Sequence, residues 1–349
     1  MKQRIVISQC IERDLTQAVM QCEHDKIFVI TDDITKELCL PILSKTECLK
    51  QAQNITIRPT DTHKDLGSLS YVWEQLSNSG ATRHSCIINL GGGMVTDLGG
   101  FAASTFKRGV DFINIPTTLL SMVDASVGGK TGINFNGLKN EIGVFNDAKV
   151  VIICADFLKT LDLKNLCSGY AEMIKHGLIS NKNTWAELLG FDILVPDYQK
   201  LQTMVAESIC VKERVVEQDP YETGIRKALN FGHTIGHALE SFALNENKPI
   251  LHGYAVAFGI VCELYLSCIK TGFPMDKMRQ TVRYIKDCYG TFEFTCNDYD
   301  ALTLLMKHDK KNTTGTINFT LLGDIGDIRI NQTATRKELY EALDFLREG

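Results

Sequence analysis

The chain has 349 residues, of which 44% are hydrophobic and 23% are charged, and its formal net charge is −5. This length exceeds that of a typical single domain, so two domains are expected, and the composition is that of a soluble globular protein. The acidic balance argues against a nucleic-acid partner, because nucleic-acid-binding surfaces carry a basic excess. An anionic substrate would therefore need a local cluster of positive side chains.

The 12 cysteines are scattered, and no pair has the two-residue spacing of a zinc ribbon or a redox motif. Free thiols in a reducing compartment explain them better than disulfides do. The apolar run at 5–7 is too short for a secretory signal, and the apolar stretch at 254–269, interrupted by Glu263, predicts a buried helix and not a membrane span. We therefore expect a cytoplasmic protein with no membrane partner.

In chain order, the first half alternates β-rich runs with amphipathic segments. Strands are predicted at 4–8, 26–31, 85–90, 111–115 and 150–154, and helices at 35–43 and 65–76. This alternation is typical of an α/β fold in which helices cover a parallel sheet.

The second half has long helical patterns and almost no β-rich runs. Helices are predicted at 165–179, 198–218, 229–242 and 252–270. The exception is a predicted hairpin formed by 316–322 and 325–330, with its turn at Gly323 and Asp324. We place the domain boundary so that an α/β domain covers 1–159 and a mostly α-helical domain covers 160–349.

A glycine-rich segment at 90–100 follows the predicted strand 85–90 and opens a helical pattern. Glycines at a strand-to-helix turn let backbone N–H groups reach a pyrophosphate, so this segment indicates dinucleotide binding, although Thr96 stands where a third glycine is usual. A plain tight turn is the alternative. Asp32 ends an earlier strand and could hold a ribose hydroxyl, but its residue chemistry favours a cap for the following helix.

The segment 116–132 is dense in hydroxyl residues and glycines. Its Gly-Gly-Lys-Thr sequence resembles the end of a P-loop, but the first glycine of that motif is missing. Lys130, Lys139 and Asn140 could form an anion site for a substrate phosphate. A polar loop with solvated lysines is the alternative.

Glu172, His233 and His252 each lie in a glycine-flanked helical pattern. Two histidines and one carboxylate are a common catalytic zinc set that leaves the fourth position open. His233 and His237 are four residues apart, which places both rings on one face of a helix. Spacing alone leaves open which of His176, His237 or His252 completes a metal set, and satisfied core histidines are the alternative.

Glu172, Lys175 and His176 share one face of a predicted helix. A Glu and a Lys one turn apart usually form a surface ion pair. The apolar neighbours of this pair make that interpretation weaker here. Together with the glycine-rich segment, the candidate metal ligands predict an enzyme that depends on a metal and a nucleotide.

With these motifs assembled, the chain resembles the 3-dehydroquinate synthases, members of the sugar phosphate cyclase superfamily, over about residues 26–330. The motifs that carry the resemblance are 91–97, 106–109, 115–130, 139–140, 169–175, 226–237, 252–253 and 309–311. The resemblance implies a Rossmann-like NAD-binding domain, a helical domain that binds metal and substrate, and a homodimer.

The resemblance also implies roles for individual residues. Glu172, His233 and His252 would bind one divalent ion, Zn²⁺ or Co²⁺, while His237 would assist proton transfers without being a ligand. The residues implied around the reacting substrate are Asp124, Lys130, Lys175, Lys212, Arg226 and Asn230. The phosphate would be held by Lys130, Asn140, Arg226, one of Lys310 and Lys311, and Arg108 of the partner subunit. The residues implied for NAD are Asp61, Lys64, Gly93, Met94, Val95, Thr96, Asp97, Thr117, Thr118, Lys139, Phe157, Leu158, Lys159 and Thr160, joined in our prediction by Asp32 and Lys130.

The implied reaction converts 3-deoxy-D-arabino-heptulosonate 7-phosphate to 3-dehydroquinate and phosphate. It comprises transient oxidation by NAD, β-elimination of phosphate, return of the hydride and an intramolecular aldol closure. Two residues depart from the family pattern, because Asp61 and Tyr254 stand where Glu is usual. The alternatives are another sugar phosphate cyclase, a metal-dependent oxidoreductase similar to glycerol dehydrogenase, and a non-catalytic NAD-binding protein.

Overall fold

The computed structural model describes residues 3–307 and 316–348, which form two compact units. One unit comprises the described residues up to Asp162 together with Asp197–Ile209. The other comprises Leu163–Pro196 and the described residues from Cys210 onward. A single boundary at 159 did not anticipate that 197–209 would group with the first part of the chain.

The first unit is built on a six-stranded sheet in which every neighbouring pair is parallel. Its strands are β1 (Arg4–Ile7), β2 (Ile27–Asp32), β3 (Gln53–Ile57), β4 (Cys86–Gly91), β5 (Phe112–Pro116) and β8 (Val150–Ile153), and a separate antiparallel pair is formed by β6 (Lys130–Phe135) and β7 (Leu138–Phe145). The helices are α1 (Ile11–Val19), α2 (Asp33–Leu38), α3 (Leu66–Asn78) and α4 (Gly93–Thr105). The α/β prediction is therefore confirmed.

The sheet order places two sequence motifs side by side. The strands lie in the order β1-β8-β5-β4-β2-β3, so the chain reverses its direction of travel between β2 and β4. Strands β4 and β5 are buried along their whole length, as expected for a parallel sheet covered on both faces. Asp32 ends β2 and Gly91 ends β4. Ligands of open α/β sheets bind at the carboxyl ends of strands at such a reversal point.

The β6–β7 hairpin was missed by the sequence prediction, which treated its first residues as a polar loop. Gly132 and Gly143 face each other across the hairpin. A Cβ on Gly132 would lie 2.5 Å from the Ile142 carbonyl oxygen, and one on Gly143 would lie 2.1 Å from that of Thr131. Glycine lowers strand propensity, so the residues that allow this close pairing also hid the strands.

The remaining elements are mostly helical. The helices are α5 (Leu163–Ser180), α6 (Lys182–Leu189), α7 (Tyr198–Gln218), α8 (His233–Asn245), α9 (His252–Thr271), α10 (Met275–Tyr289), α11 (Tyr299–Lys307) and α12 (Arg336–Glu348). A hairpin is formed by β9 (Phe319–Asp324) and β10 (Asp327–Gln332). The prediction of a mostly helical second half is confirmed.

Two predicted boundaries were wrong for local reasons. The helix expected at 229–242 begins only at His233, because Ile225–Asn230 forms a tighter 3₁₀ turn and Gly232 adopts a left-handed conformation with φ of 79°. The hairpin turns at Ile325 and Gly326, not at Gly323 and Asp324, because Gly326 takes the positive φ of 79°.

Helix α9 is the central helix of the second unit. By length and composition it could cross a membrane, but 72% of its most apolar window is buried inside the protein, as in the core helix of a globular fold. It packs so tightly on α8 that a Cβ on Gly259 would lie 1.9 Å from the Gly232 carbonyl oxygen. The glycines near the histidines therefore allow two helices to touch through their backbones.

Candidate active site

Helix α5 buries an ion pair. Glu172, Lys175 and His176 are each at most 1% exposed, and the Lys175 Nζ contacts Glu172 Oε2. The apolar neighbours, which weakened the usual interpretation as a surface ion pair, therefore pointed correctly to burial. Removing one partner of a buried pair leaves an uncompensated charge, so these residues depend on each other.

Glu172, His233 and His252 converge on one point. The Nε2 atoms of His233 and His252 lie 3.3 Å and 3.5 Å from Glu172 Oε1. A tetrahedral zinc ion with bonds of about 2.0–2.1 Å separates its ligand atoms by roughly 3.4 Å. Both Glu172 oxygens are buried and lack a hydrogen bond of good geometry, although they have cationic neighbours. The residues present therefore fit a divalent ion.

His237 lies beside this trio. Its ring centre is 5.3 Å from that of His233 and 5.7 Å from that of His252. The nitrogens of the three histidines lie within 4.8 Å of one another, so they form a second candidate ligand set. The shorter contacts to Glu172 favour the set that contains the carboxylate.

The Nδ1 atoms of both candidate histidine ligands have hydrogen-bond partners. His252 Nδ1 lies 3.1 Å from Glu240 Oε2, and His233 Nδ1 lies 3.1 Å from the Phe231 carbonyl oxygen. A carbonyl can only accept, so Nδ1 of His233 carries the proton and Nε2 is left as the ligand atom. Glu240 was not among the residues predicted from the sequence. Its signal was an acidic residue two turns after His233, on the same face of α8.

Neighbouring charges determine whether Glu172 and His252 carry a proton. Burial alone would raise the pKa of Glu172, but Lys175 and His233 hold that pKa well below its usual range. Burial would lower the pKa of His252, but its contacts with Glu172 and Glu240 raise it to about 10. Glu172 is thus the anionic ligand that a metal needs, and a metal ion at His252 would displace a proton.

The turn before α8 is organised by Asp219. Its carboxylate accepts the N–H groups of Thr223, Gly224 and Arg226 at 2.7–3.0 Å. Arg226 is 3% exposed, and its Nη1 donates to the Pro220 carbonyl at 2.5 Å. Asp219 thereby fixes the backbone of a predicted phosphate-binding residue.

Asn230 and Lys212, two further predicted substrate residues, lie in the second unit. Asn230 Nδ2 donates to Glu222 Oε1 at 2.8 Å, and Lys212 is buried on α7. Glu222 has a φ of 60°, which is unusual for a residue other than glycine. Glu222 was not predicted from the sequence, because nothing in its sequence neighbourhood reveals this contact.

In the first unit, the glycine-rich segment forms the predicted strand-to-helix turn. Gly91 ends β4, Gly92 precedes α4, and the helix begins at Gly93. A Cβ on Gly91 would lie 2.5 Å from Val95 Cγ2, so the turn requires glycine. The first turn of α4 contains the predicted NAD residues from Gly93 to Thr96, and the N–H groups of such a turn attract phosphates.

Asp61, Lys64, Asp97, Lys139 and Asn140 form one polar cluster. Lys64 is 3% exposed, lies 2.5 Å from Asp97 Oδ2 and also contacts Asn140 Oδ1. Lys139 Nζ lies 3.7 Å from Asp61 Oδ2. Burial raises the pKa of Asp97 despite the neighbouring Lys64. Predicted NAD residues therefore meet here, together with Asn140, which was predicted to bind phosphate.

Other residues that were predicted to bind NAD have structural roles. Asp32 Oδ1 accepts the Thr35 N–H at 2.7 Å and caps α2, as the simpler interpretation predicted. The side chains of Phe157 and Leu158 are fully buried, so only their backbone could contact a ligand. Exposed Lys159 lies 2.6 Å from Asp156.

The predicted residues of 117–130 follow β5. Thr117 is buried, and the Thr118 hydroxyl bonds to that of Ser121 at 2.9 Å. Asp124 lies in a π-helical turn, Ser121–Ala125, a rare geometry that is frequent at functional sites. Lys130 begins β6 and is exposed.

Of the remaining residues, Arg108, Lys310 and Lys311 were predicted to bind the phosphate, and Thr160 was predicted to bind NAD. Arg108 lies at an exposed turn in which Lys107 and Arg108 have φ of 48° and 70°. Thr160 donates its hydroxyl to the Phe157 carbonyl at 2.7 Å. Lys310 and Lys311 lie outside the described residues.

The fold matches those of two solved synthases. The crystal structure of 2-deoxy-scyllo-inosose synthase complexed with carbaglucose-6-phosphate, NAD⁺ and Co²⁺ matches with a TM-score of 0.84 and 22% identity, covering 99% of this chain and 96% of that one. The 2-epi-5-epi-valiolone synthase of Streptomyces hygroscopicus, with NAD⁺ and Zn²⁺ bound, matches with a TM-score of 0.83 and 24% identity, covering 99% and 97%.

Sequence comparison identifies the family to which the chain belongs. Residues 54–168 match the family profile "3-dehydroquinate synthase N-terminal", and residues 169–312 match "3-dehydroquinate synthase C-terminal". A curated 3-dehydroquinate synthase of Parabacteroides distasonis is 54% identical over 348 residues, which cover 100% of this chain and 99% of that protein. The chain belongs to the 3-dehydroquinate synthase family.

Proposed function

We propose that the protein converts 3-deoxy-D-arabino-heptulosonate 7-phosphate to 3-dehydroquinate and phosphate, with NAD and one divalent metal ion. The observation that carries the proposal is the convergence of His233 and His252 on the buried carboxylate of Glu172 at 3.3–3.5 Å. The likeness of the whole chain to a curated 3-dehydroquinate synthase supports the choice of reaction.

Glu172, His233 and His252 would hold the metal, which when bound supplies a Lewis acid for a substrate hydroxyl. The first unit would bind NAD, which supplies a reversible hydride acceptor, at the start of α4 and at the cluster around Lys64. Lys175 neutralises Glu172 and keeps its charge fixed in a buried position. His237, beside both ligand rings, is placed to take or give a proton.

For the phosphate, we assign Lys130, Asn140 and Arg226, with Arg108 of the partner subunit. Arginine suits this role because its planar guanidinium can donate two parallel hydrogen bonds to phosphate oxygens. The Asp219 carboxylate holds the Arg226 backbone, so the guanidinium is presented on a fixed turn. Such local cations attract a doubly anionic substrate to an acidic protein.

Asn230, Lys212 and Arg226 together suit a substrate with a carboxylate, which favours the heptulosonate phosphate over sugar phosphates that lack a carboxylate. The test is to offer the purified enzyme, loaded with NAD and Zn²⁺, the heptulosonate phosphate, sedoheptulose 7-phosphate, glucose 6-phosphate and glycerol. We expect 3-dehydroquinate from the first alone. A cyclised product from another sugar phosphate, or steady NADH formation with glycerol, would assign the chain to one of the alternative activities.

We also propose that the protein is a homodimer joined through the β6–β7 hairpin. Phe135, Leu138, Ile142, Val144 and Phe145 are 37–59% exposed. A long apolar edge strand is a template for pairing with another chain, and natural proteins cover such edges. A second copy of the hairpin would supply both the apolar partner and the matching edge.

A cytoplasmic location completes the proposal. The 12 cysteines of the chain are all free thiols, as expected in a reducing compartment.

A further inference from the structure

The two histidines of the proposed metal set differ in what supports them. The Nδ1 of His252 is held directly by the Glu240 carboxylate, whereas the Nδ1 of His233 is held by the carbonyl of Phe231. A carboxylate at this position raises the basicity of a ligand imidazole and fixes its direction. A plain backbone carbonyl does so less strongly, because it carries no net charge.

The peptide group that holds His233 is itself bound to a carboxylate. Glu263 on α9 is fully buried and accepts the N–H groups of Gly232, Thr234 and Ile235 at 2.6, 3.1 and 3.2 Å. The Gly232 N–H and the Phe231 C=O belong to the same peptide group. One end of this group therefore binds Glu263, and the other end binds the imidazole of His233.

We propose that Glu263 is a positioning residue of the metal site, acting on His233 through the Phe231–Gly232 peptide group. The inference rests on the proposed ligand set of Glu172, His233 and His252. Hydrogen bonds in a chain polarise one another, so the carboxylate strengthens the bond from Nδ1 to the Phe231 carbonyl. A peptide group bound at both ends also cannot rotate. Glu263 thus fixes the tautomer and direction of His233 and makes its Nε2 a better metal ligand.

A carboxylate can be an ordinary helix cap, as Asp32 is for α2, but Asp32 is partly exposed whereas Glu263 is fully buried. The start of α6 is capped by a neutral residue, Asn181, whose side chain accepts the N–H groups of Asn183 and Thr184 at 3.0 Å. Glu263 instead reaches from a neighbouring helix. The left-handed Gly232 makes this approach possible, since a Cβ there would lie 2.6 Å from Ile260 Cγ1. A charged acceptor here polarises the peptide group more strongly than a neutral cap would.

The test is Glu263→Gln in the full chain, which keeps the side-chain shape and removes the charge. Zn²⁺ affinity is measured by competition with a chelator, and the visible absorption of the Co²⁺-loaded protein reports ligand geometry. We expect Zn²⁺ to bind about tenfold to a hundredfold more weakly, the range for groups that support metal ligands, and the Co²⁺ bands to shift. Asn181→Ala is the control, because it removes a cap in the same unit, and we expect it to lower Tm without changing affinity or spectrum.

The outcomes separate this inference from the proposed function. Glu263→Gln with a lower Tm but wild-type Zn²⁺ affinity and Co²⁺ spectrum would overturn the peptide-mediated role. Wild-type affinity in His233→Ala would instead show that the ligand set is wrong. If Glu263→Gln does not fold, amide exchange of the metal-free wild type decides. Slow exchange at Gly232, Thr234 and Ile235 supports a site formed before metal binds, and exchange as fast as at a frayed helix end contradicts it.

Discussion

At the scale of single residues, Glu172 is the group on which the site depends. A buried carboxylate loses its hydration, and only close cations can compensate. Lys175 contacts one of its oxygens, and the two histidines lie near the other. A metal ion held by the proposed ligands would displace the proton of His252, and the ionised Glu172 would supply the anionic ligand.

His252→Ala should abolish both bound metal and turnover, because it removes one of the three proposed protein ligands and leaves too few for tight binding. The metal content of the purified variant, measured by inductively coupled plasma mass spectrometry, is the readout. His84→Ala, which changes an exposed histidine in the first unit, is the control and should keep full metal. Full metal occupancy in His252→Ala would disprove the ligand set.

Arg226→Ala should raise the KM for the phosphate-bearing substrate by at least about a hundredfold, since a charged hydrogen-bonding group contributes roughly 3 kcal/mol when its partner is buried. NAD affinity, measured by titration of protein fluorescence, should stay within about twofold on the same scale. Lys227→Ala is the matched control, because the neighbouring Lys227 donates to Asn331, at 3.1 Å, and has no role in the proposed site. Unchanged kinetics in Arg226→Ala would remove that residue from the site.

At the scale of elements, the turn from Asp219 to Arg226 shows how a loop is fixed by one side chain. Burial would raise the pKa of Asp219, but bonds from the Gly224, Thr223 and Arg226 backbone lower it to about 2 from an ordinary 3.8. The ionised form is therefore the one that holds the turn. Its stabilising contribution is complete above the ordinary pKa and is lost as the pH falls toward 2.

Asp219→Asn should accordingly lower the free energy of unfolding most at pH 5 and least near pH 2, where wild-type Asp219 also becomes protonated. Urea unfolding of both proteins across this pH range measures the difference. Asp197→Asn is the control: Asp197 also accepts two backbone N–H groups, at 2.9 and 3.2 Å, but lies outside this turn. A stability difference between wild type and Asp219→Asn that does not shrink on acidification would contradict this account of the turn.

Most elements, and the Glu and His side chains that we propose as metal ligands, could be identified from the sequence because both depend on local patterns. Helix α7 begins and ends at the predicted residues, 198 and 218, since its apolar spacing continues to both ends. The β6–β7 hairpin was missed because its glycines, which allow close contact with the opposite strand, also weaken the strand pattern in the sequence. The contacts of Glu240, Glu222 and Glu263 with the proposed site residues and their turn were not predicted for a related reason. Their roles follow from distances that only the folded chain creates.

At the scale of the whole molecule, the fold has two features. The first is a parallel sheet whose strand order reverses beside a glycine-rich turn, and the second is a helical unit that buries a carboxylate and histidines. Each feature alone occurs in many enzymes, and fold by itself does not define function. Their combination in one chain, together with full-length identity to a curated relative, points to one reaction class.

Leu138→Lys should convert a dimer to a monomer, because it places a charge in the exposed apolar strand that we propose as the interface. Sedimentation velocity gives the mass directly. Val195→Lys is the control: Val195 is 79% exposed and lies outside the hairpin, so the dimer should persist. A wild-type protein that sediments as a monomer would contradict the proposal, and a Leu138→Lys dimer would place the interface elsewhere.

The central claim is a cyclase reaction in which NAD turns over without net reduction. The decisive measurement follows phosphate release and NADH together while the enzyme acts on the heptulosonate phosphate, before chelation, after chelation and after Zn²⁺ is restored. We predict phosphate release that requires NAD, stops on chelation and returns with Zn²⁺, with no accumulation of NADH. Phosphate release that is indifferent to chelation, or NADH formed in proportion to phosphate, would contradict the account.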